Sequence, residues 1–146
     1  MKEFIASLLS GHDDVALLEN ATYGLMEHSD AAIVTSGTAT LETGWFGTPM
    51  VVVYKTSPLT FMLLKHLVTI PHIGLVNIVC GKKVVPELIQ HEMTARNLVR
   101  EVGRMLSDES YANRLRAELS VIRSRLGGPG ASARVAENII KLAKAA

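Results

Sequence analysis

Residues Ser36-Gly37-Thr38-Ala39-Thr40-Leu41-Glu42 form the stretch of this chain best suited to chemistry. Gly37 permits a sharp turn and lets a ligand come close to the backbone. Free amides at a helix start, together with the Ser36 and Thr38 hydroxyls, suit an anion such as a diphosphate. Thr38 and Glu42 are four apart and share a helix face. A carboxylate there would repel phosphate directly, yet it can accept hydrogen bonds from ribose hydroxyls. The pattern points to a nucleotide, with diphosphate at the turn and ribose one helical turn deeper. The same residues also fit a plainer arrangement, in which Ser36 or Thr38 caps a helix and Glu42 is a solvated first-turn acid. Neither a GxxxxGKS/T phosphate loop nor a GxGxxG dinucleotide fingerprint is present.

Such a turn must be held by a strand and a helix. Residues 31–34 read as a buried strand ended by Ser36-Gly37, and residues 38–46 have helical spacing, with Leu41 and Trp45 four apart. Gly47-Thr48-Pro49 breaks that helix, and Met50-Val51-Val52-Val53-Tyr54 is the strongest strand signal. Upstream, Val15-Ala16-Leu17-Leu18 reads as a further short apolar strand and residues 22–28 as a helix. Short apolar strands separated by helices indicate an α/β fold, with a parallel sheet covered on both faces. In such a sheet the Ser36-Gly37 turn falls at the carboxyl ends of the strands, where ligands bind. Three convincing strands are fewer than the roughly five or six of an open doubly wound sheet, so a missing segment or a partner chain is expected to complete it.

The final third is helical. Leu98, Val102 and Met105 mark one amphipathic helix, and Leu115, Leu119, Ile122 and Leu126 mark a second. Gly127-Gly128-Pro129-Gly130 ends the second, and residues 132–144 form a last helix. Residues 1–107 are expected to be an α/β domain, incomplete on its N-terminal side, and residues 108–146 a helical tail.

Composition narrows the function. The chain has 146 residues, 48% of them apolar, with 20% charged and a formal net charge of +1. That balance argues against a nucleic-acid binder, which would carry a basic field. The single cysteine, Cys80, leaves no internal disulfide framework and suits a reducing compartment. The opening residues read as an ordinary helix, not a signal peptide, because Asp13-Asp14 follow at once. No apolar run approaches the roughly 20 residues of a membrane-spanning helix, so the chain is expected to be soluble or to lie on a membrane. Five histidines show no metal-ligand spacing, and no metal or cofactor is expected.

The run of residues 29–42, followed by Gly47-Thr48-Pro49-Met50-Val51-Val52-Val53-Tyr54-Lys55, resembles the lipid-A-disaccharide synthase family. The likeness continues through Leu75-Val76-Asn77-Ile78, where the family usually has Leu-Pro-Asn, and Val85-Pro86-Glu87-Leu88-Ile89-Gln90. It implies part of the C-terminal, Rossmann-like domain of a two-domain GT-B glycosyltransferase. That enzyme joins UDP-2,3-diacylglucosamine to 2,3-diacylglucosamine 1-phosphate, forming a β-1,6 disaccharide and releasing UDP. By the same resemblance Ser36, Gly37 and Thr38 would contact the diphosphate and Glu42 the ribose, with Asn77 and Gln90 near the donor. The family's N-terminal acceptor domain, with its catalytic carboxylates, and a Gly-Ser-Arg loop have no counterpart in these 146 residues. No catalytic residue is therefore expected in this chain, and little turnover without an N-terminal half. The resemblance further implies a cytoplasmic protein, peripheral on the inner membrane, with a possible homodimer formed through C-terminal segments. The apolar residues 58–68, ending near Lys65-His66, suit contact with lipid, a buried helix or a dimer surface. Another GT-B enzyme acting on UDP-GlcNAc, or a non-catalytic UDP-binding or assembly module, are the competing readings.

Overall fold

The computed structural model describes residues 2–57, 61 and 71–145. Three parallel strands, β1 (Ala32–Thr35), β2 (Met50–Tyr54) and β3 (Glu87–Ile89), lie side by side in that order. Ala32 pairs with Met50, Thr35 with Val53, Val52 with Glu87 and Tyr54 with Ile89. In the central strand, Met50 to Val53 are all buried, as expected where helices cover both sheet faces. The β-branched side chains of Val51, Val52 and Val53 favour the extended backbone and pack on a pleated surface.

Ahead of the sheet come α1 (Lys2–Leu8) and α2 (Thr22–His28). The crossover from β1 to β2 is α3 (Ala39–Phe46), ended by Gly47 at φ +79°, a conformation glycine adopts without penalty. Gly44 lets α3 pack closely: a Cβ there would stand 3.2 Å from Val76 and 3.4 Å from Ile122. Val76 belongs to α4 (Leu75–Cys80), which precedes β3. Then follow α5 (Ala95–Ser107), α6 (Glu109–Leu119), α7 (Val121–Leu126) and α8 (Ala131–Ala145). Thr94 caps α5 by accepting from the Asn97 amide at 3.3 Å, and Asp108 caps α6 through the Tyr111 amide at 2.9 Å. Leu115, Leu119 and Ile122 enter the same core as the strands, each contributing about 1.5–3 kcal/mol of burial. Arg123 donates to the Trp45 carbonyl at 2.8 Å and Arg125 to that of Val79 at 2.5 Å, so two of the helix arginines fasten α7 to α3 and α4.

The α/β expectation holds, as a partial Rossmann-like arrangement, but its strands differ from those predicted. Val15-Ala16-Leu17-Leu18 is not a strand; Val15, Leu17 and Leu18 are exposed and pair with no sheet edge. The third strand is β3, which hides in the sequence because it is three residues long and opens on an acid, Glu87. The helix predicted through Leu115 to Leu126 is divided at Ser120, whose hydroxyl turns back to the Ala117 carbonyl at 2.6 Å. None of α1 is buried, and the described side chains of α8 are all exposed. The apolar stretch 58–68 lies outside the described residues except for Phe61. Among the described residues no helix is long and apolar enough to cross a membrane.

Candidate functional site

The carboxyl edge of the sheet is where β1 gives way to α3. Ser36 continues the ladder one step beyond β1, its amide donating to the Val53 carbonyl at 3.0 Å. Its hydroxyl, expected to contact an anion, donates to the Ile73 carbonyl at 2.9 Å. Gly37 follows at φ +150°, outside the range L side chains ordinarily adopt, and a Cβ there would meet nothing within 4 Å. Glycine is required here by conformation, and the space beside the turn is open. Among the described residues, the amides of Gly37, Thr38 and Ala39 donate no hydrogen bond. The Thr38 side chain makes no cap bond either. The plainer alternative, a capped helix start, therefore has no bond to support it: Ser36 is turned to Ile73 and Thr38 is uncommitted.

Glu42 sits one helical turn further, its amide donating to the Thr38 carbonyl at 3.2 Å. Half-buried, it shares an open groove of about 350 Å³ with Tyr23, Leu41, Trp45, Phe46 and Leu126. The Tyr23 and Phe46 rings lie 6.2 Å apart in that wall. Among the described residues the Glu42 carboxylate has no hydrogen bond or ion pair. An uncommitted carboxylate stands beside an aromatic groove, a turn away from three uncommitted amides. Free amides of this kind suit an anion, and a free carboxylate suits hydroxyl donors.

Asn77 and Gln90 take different places. Asn77 is fully buried in α4. Its Nδ2 donates to the Val85 carbonyl and to Glu87 Oε1, both at 2.9 Å, and its Oδ1 accepts from the Val84 and Val85 amides at 2.8 and 3.0 Å. Two donors and two lone pairs exhaust an amide side chain. In this arrangement all four hydrogen-bonding positions of Asn77 are occupied by the chain itself, and the side chain supports the loop behind the turn. Gln90, at the carboxyl end of β3 with φ +52°, pairs with the Thr56 backbone: Oε1 accepts from its amide at 2.8 Å and Nε2 donates to its carbonyl at 3.2 Å. One N–H and one lone pair remain on Gln90, at the edge where ligands bind in parallel sheets.

Two residues escaped the sequence reading. Thr40 is buried; its Oγ1 donates to the Gly37 carbonyl at 2.8 Å and accepts from the Val76 amide at 3.4 Å, tying the turn to α4. Glu87 is buried as well, and its oxygens accept from Ile73, Gly74 and Asn77. Three N–H donors offset the loss of water around a buried carboxylate. The available signal for Glu87 was an acid set directly before the apolar pair Leu88-Ile89. Cys80 lies in the core, where burial pushes its thiol above the ordinary value against the nearby Arg125 and Lys82 charges. Among the described residues no three His, Cys, Asp or Glu side chains are grouped to hold a metal ion.

A family model described as "Lipid-A-disaccharide synthetase" matches residues 4–129. The lipid-A-disaccharide synthase of Geobacter sulfurreducens is 44% identical over 139 residues, covering 94% of this chain and 36% of that protein. Its counterpart in Syntrophus aciditrophicus is 44% identical over 130 residues, 89% of this chain and 34% of that protein. That of Acidobacterium capsulatum is 41% identical over 108 residues, 74% of this chain and 27% of that protein. The chain thus spans about a third of the length of the curated relatives it matches.

Proposed function

The chain belongs to the lipid-A-disaccharide synthase family, a family of glycosyltransferases, and from that premise we propose that it binds the nucleotide-sugar donor. The reaction is transfer of 2,3-diacylglucosamine from UDP to 2,3-diacylglucosamine 1-phosphate, with UDP as the leaving group. The amides of Gly37, Thr38 and Ala39, with the Thr38 hydroxyl, take the diphosphate, and the dipole of α3 favours its charge. Glu42 accepts from the ribose hydroxyls. Ser36 contributes by holding the turn through Ile73 and still offers lone pairs. Gln90 borders the donor at the edge of β3, and Asn77 stiffens the loop behind it.

One observation carries this reading: uncommitted amides at an open glycine turn, with an uncommitted carboxylate one helical turn along. Charge stabilisation of departing UDP is what such a turn supplies to glycosyl transfer, since oriented amides need no reorganisation as negative charge develops. Donor binding is assigned to this turn, and no acid–base role to any described residue. The same reading sets the protein on the cytoplasmic face of the inner membrane. Exposed Phe4 and Leu8 of α1, and Val135, Ile139 and Leu142 of α8, support contact with a membrane, the N-terminal half or a second copy. Calorimetric titration of UDP into wild type and Glu42→Ala tests the assignment. The variant should bind roughly tenfold more weakly, as expected for losing hydrogen bonds to a charged group. Equal affinities would remove Glu42 from the ribose.

A further inference from the structure

Glu87 is the one buried Asp or Glu among the described residues, and the proposed donor contacts do not use it. It opens β3 opposite Val52. Oε1 accepts from the Gly74 amide and from Asn77 Nδ2, both at 2.9 Å, and Oε2 accepts from the Ile73 amide at 3.1 Å. The two peptide groups of Ile73 are consequently held from opposite directions, its N–H by Glu87 and its carbonyl by the Ser36 hydroxyl at 2.9 Å. Gly74 allows the approach, because a Cβ there would lie 3.1 Å from Glu87 Oε1 and 3.1 Å from Val52 Cγ2. Ser36 immediately precedes Gly37, so the direction of the free amides depends on where Ile73 stands. Thr40 clamps the other side of the turn through the Gly37 carbonyl and the Val76 amide.

We infer that Glu87 is a positioning residue for the nucleotide-sugar turn: its carboxylate fixes Ile73 and Gly74, and Ile73, through Ser36, aims the Gly37 to Ala39 amides. The inference deepens the donor-binding reading and rests on it. Its chemistry requires two acceptor oxygens. In Glu87→Gln the oxygen can keep Gly74 and Asn77, but the new amide group then meets the Ile73 N–H donor to donor. The side chain keeps its size while the link toward Ser36 breaks.

The test is amide NMR of this chain, wild type and Glu87→Gln, followed by UDP titration of both and of Ser36→Ala and the double variant. The account expects the Ser36, Gly37 and Thr38 amide signals to shift in Glu87→Gln without ligand, with UDP affinity falling about tenfold. In the Ser36→Ala background the Gln substitution should add less than about threefold, because both act through one peptide. Unmoved turn signals, or two effects that multiply as independent ones, would overturn the inference. If wild type ignores UDP while the turn signals still shift, donor binding fails and the positioning role stands. If Glu87→Gln does not fold, Ser36→Ala gives the reciprocal reading: its Ile73 and Gly74 amide signals must move, and unmoved signals reject the link.

Discussion

The Ser36 hydroxyl and the Ile73 carbonyl meet at 2.9 Å across 37 positions of sequence, joining the turn after β1 to the loop before α4. A turn with three unused amides would otherwise be free to close on itself. Ser36 is tied to Ile73 and the Gly37 carbonyl to Thr40, so the turn is held on both sides while its three amides remain without an acceptor. Preorganisation of this kind strengthens anion binding because little order remains to be imposed when the ligand arrives.

Gly37 is held at φ +150° with open space beside it, so a substitution there is penalised by the backbone alone. Gly37→Ala should lower the unfolding free energy by about 1–2 kcal/mol, read from urea denaturation. UDP binding should weaken in the same variant, since relief of the strain redirects the amides. Unchanged stability would mean that this residue does not need its unusual conformation.

Asn77 makes four hydrogen bonds at full burial. Asn77→Ala leaves the Val84 and Val85 amides and the Val85 carbonyl without a partner, and should destabilise by about 3 kcal/mol or more. Asn77→Asp keeps the shape and both accepted bonds, but loses the two donated bonds and sets a second carboxylate against Glu87. Both variants should unfold at lower denaturant than wild type. A donor-contacting asparagine with no structural duty would give the reverse pattern, normal stability with weakened UDP binding.

Stability should also depend on alkaline pH. Burial raises the Cys80 thiol above its ordinary 9.0 and the Tyr111 phenol above its ordinary 10.0. The unfolded chain therefore loses these protons first as pH rises, and the folded state gives up stability through that interval. Below the ordinary values both contributions are complete. Guanidinium unfolding between neutral pH and pH 10.5 should show a decline beginning near the ordinary thiol value, and Cys80→Val should flatten its first part. An identical slope in that variant would refute the assignment to Cys80.

Much of this arrangement was legible in the residues. The β-branched run of β2 and the breaker Gly47-Thr48-Pro49 announce a strand and a helix end, and between them they frame α3 and the Gly37 turn. Apolar spacing likewise places α5 and the Leu115–Leu119–Ile122 face. β3 was not legible, because strand signals are averages over several apolar residues and this strand offers only Leu88 and Ile89 beside a buried acid. The run Val15-Ala16-Leu17-Leu18 carries the signal but pairs with neither outer strand of the sheet, and tertiary context overrides propensity. Ser36 and Asn77 were legible as positions of interest, but the hydrogen bonds they make were not. Their partners, Ile73 and the Val84–Val85–Glu87 group, are set by how the chain folds back, which local spacing does not report.

UDP titration followed through the NMR signals of the Gly37, Thr38 and Ala39 amides reads the turn itself. All three signals should shift saturably with UDP. Inorganic pyrophosphate should move the same three, and uridine should instead move signals around Glu42. If UDP saturates the chain while those three amides stay where they were, the turn does not hold the diphosphate and the account is contradicted.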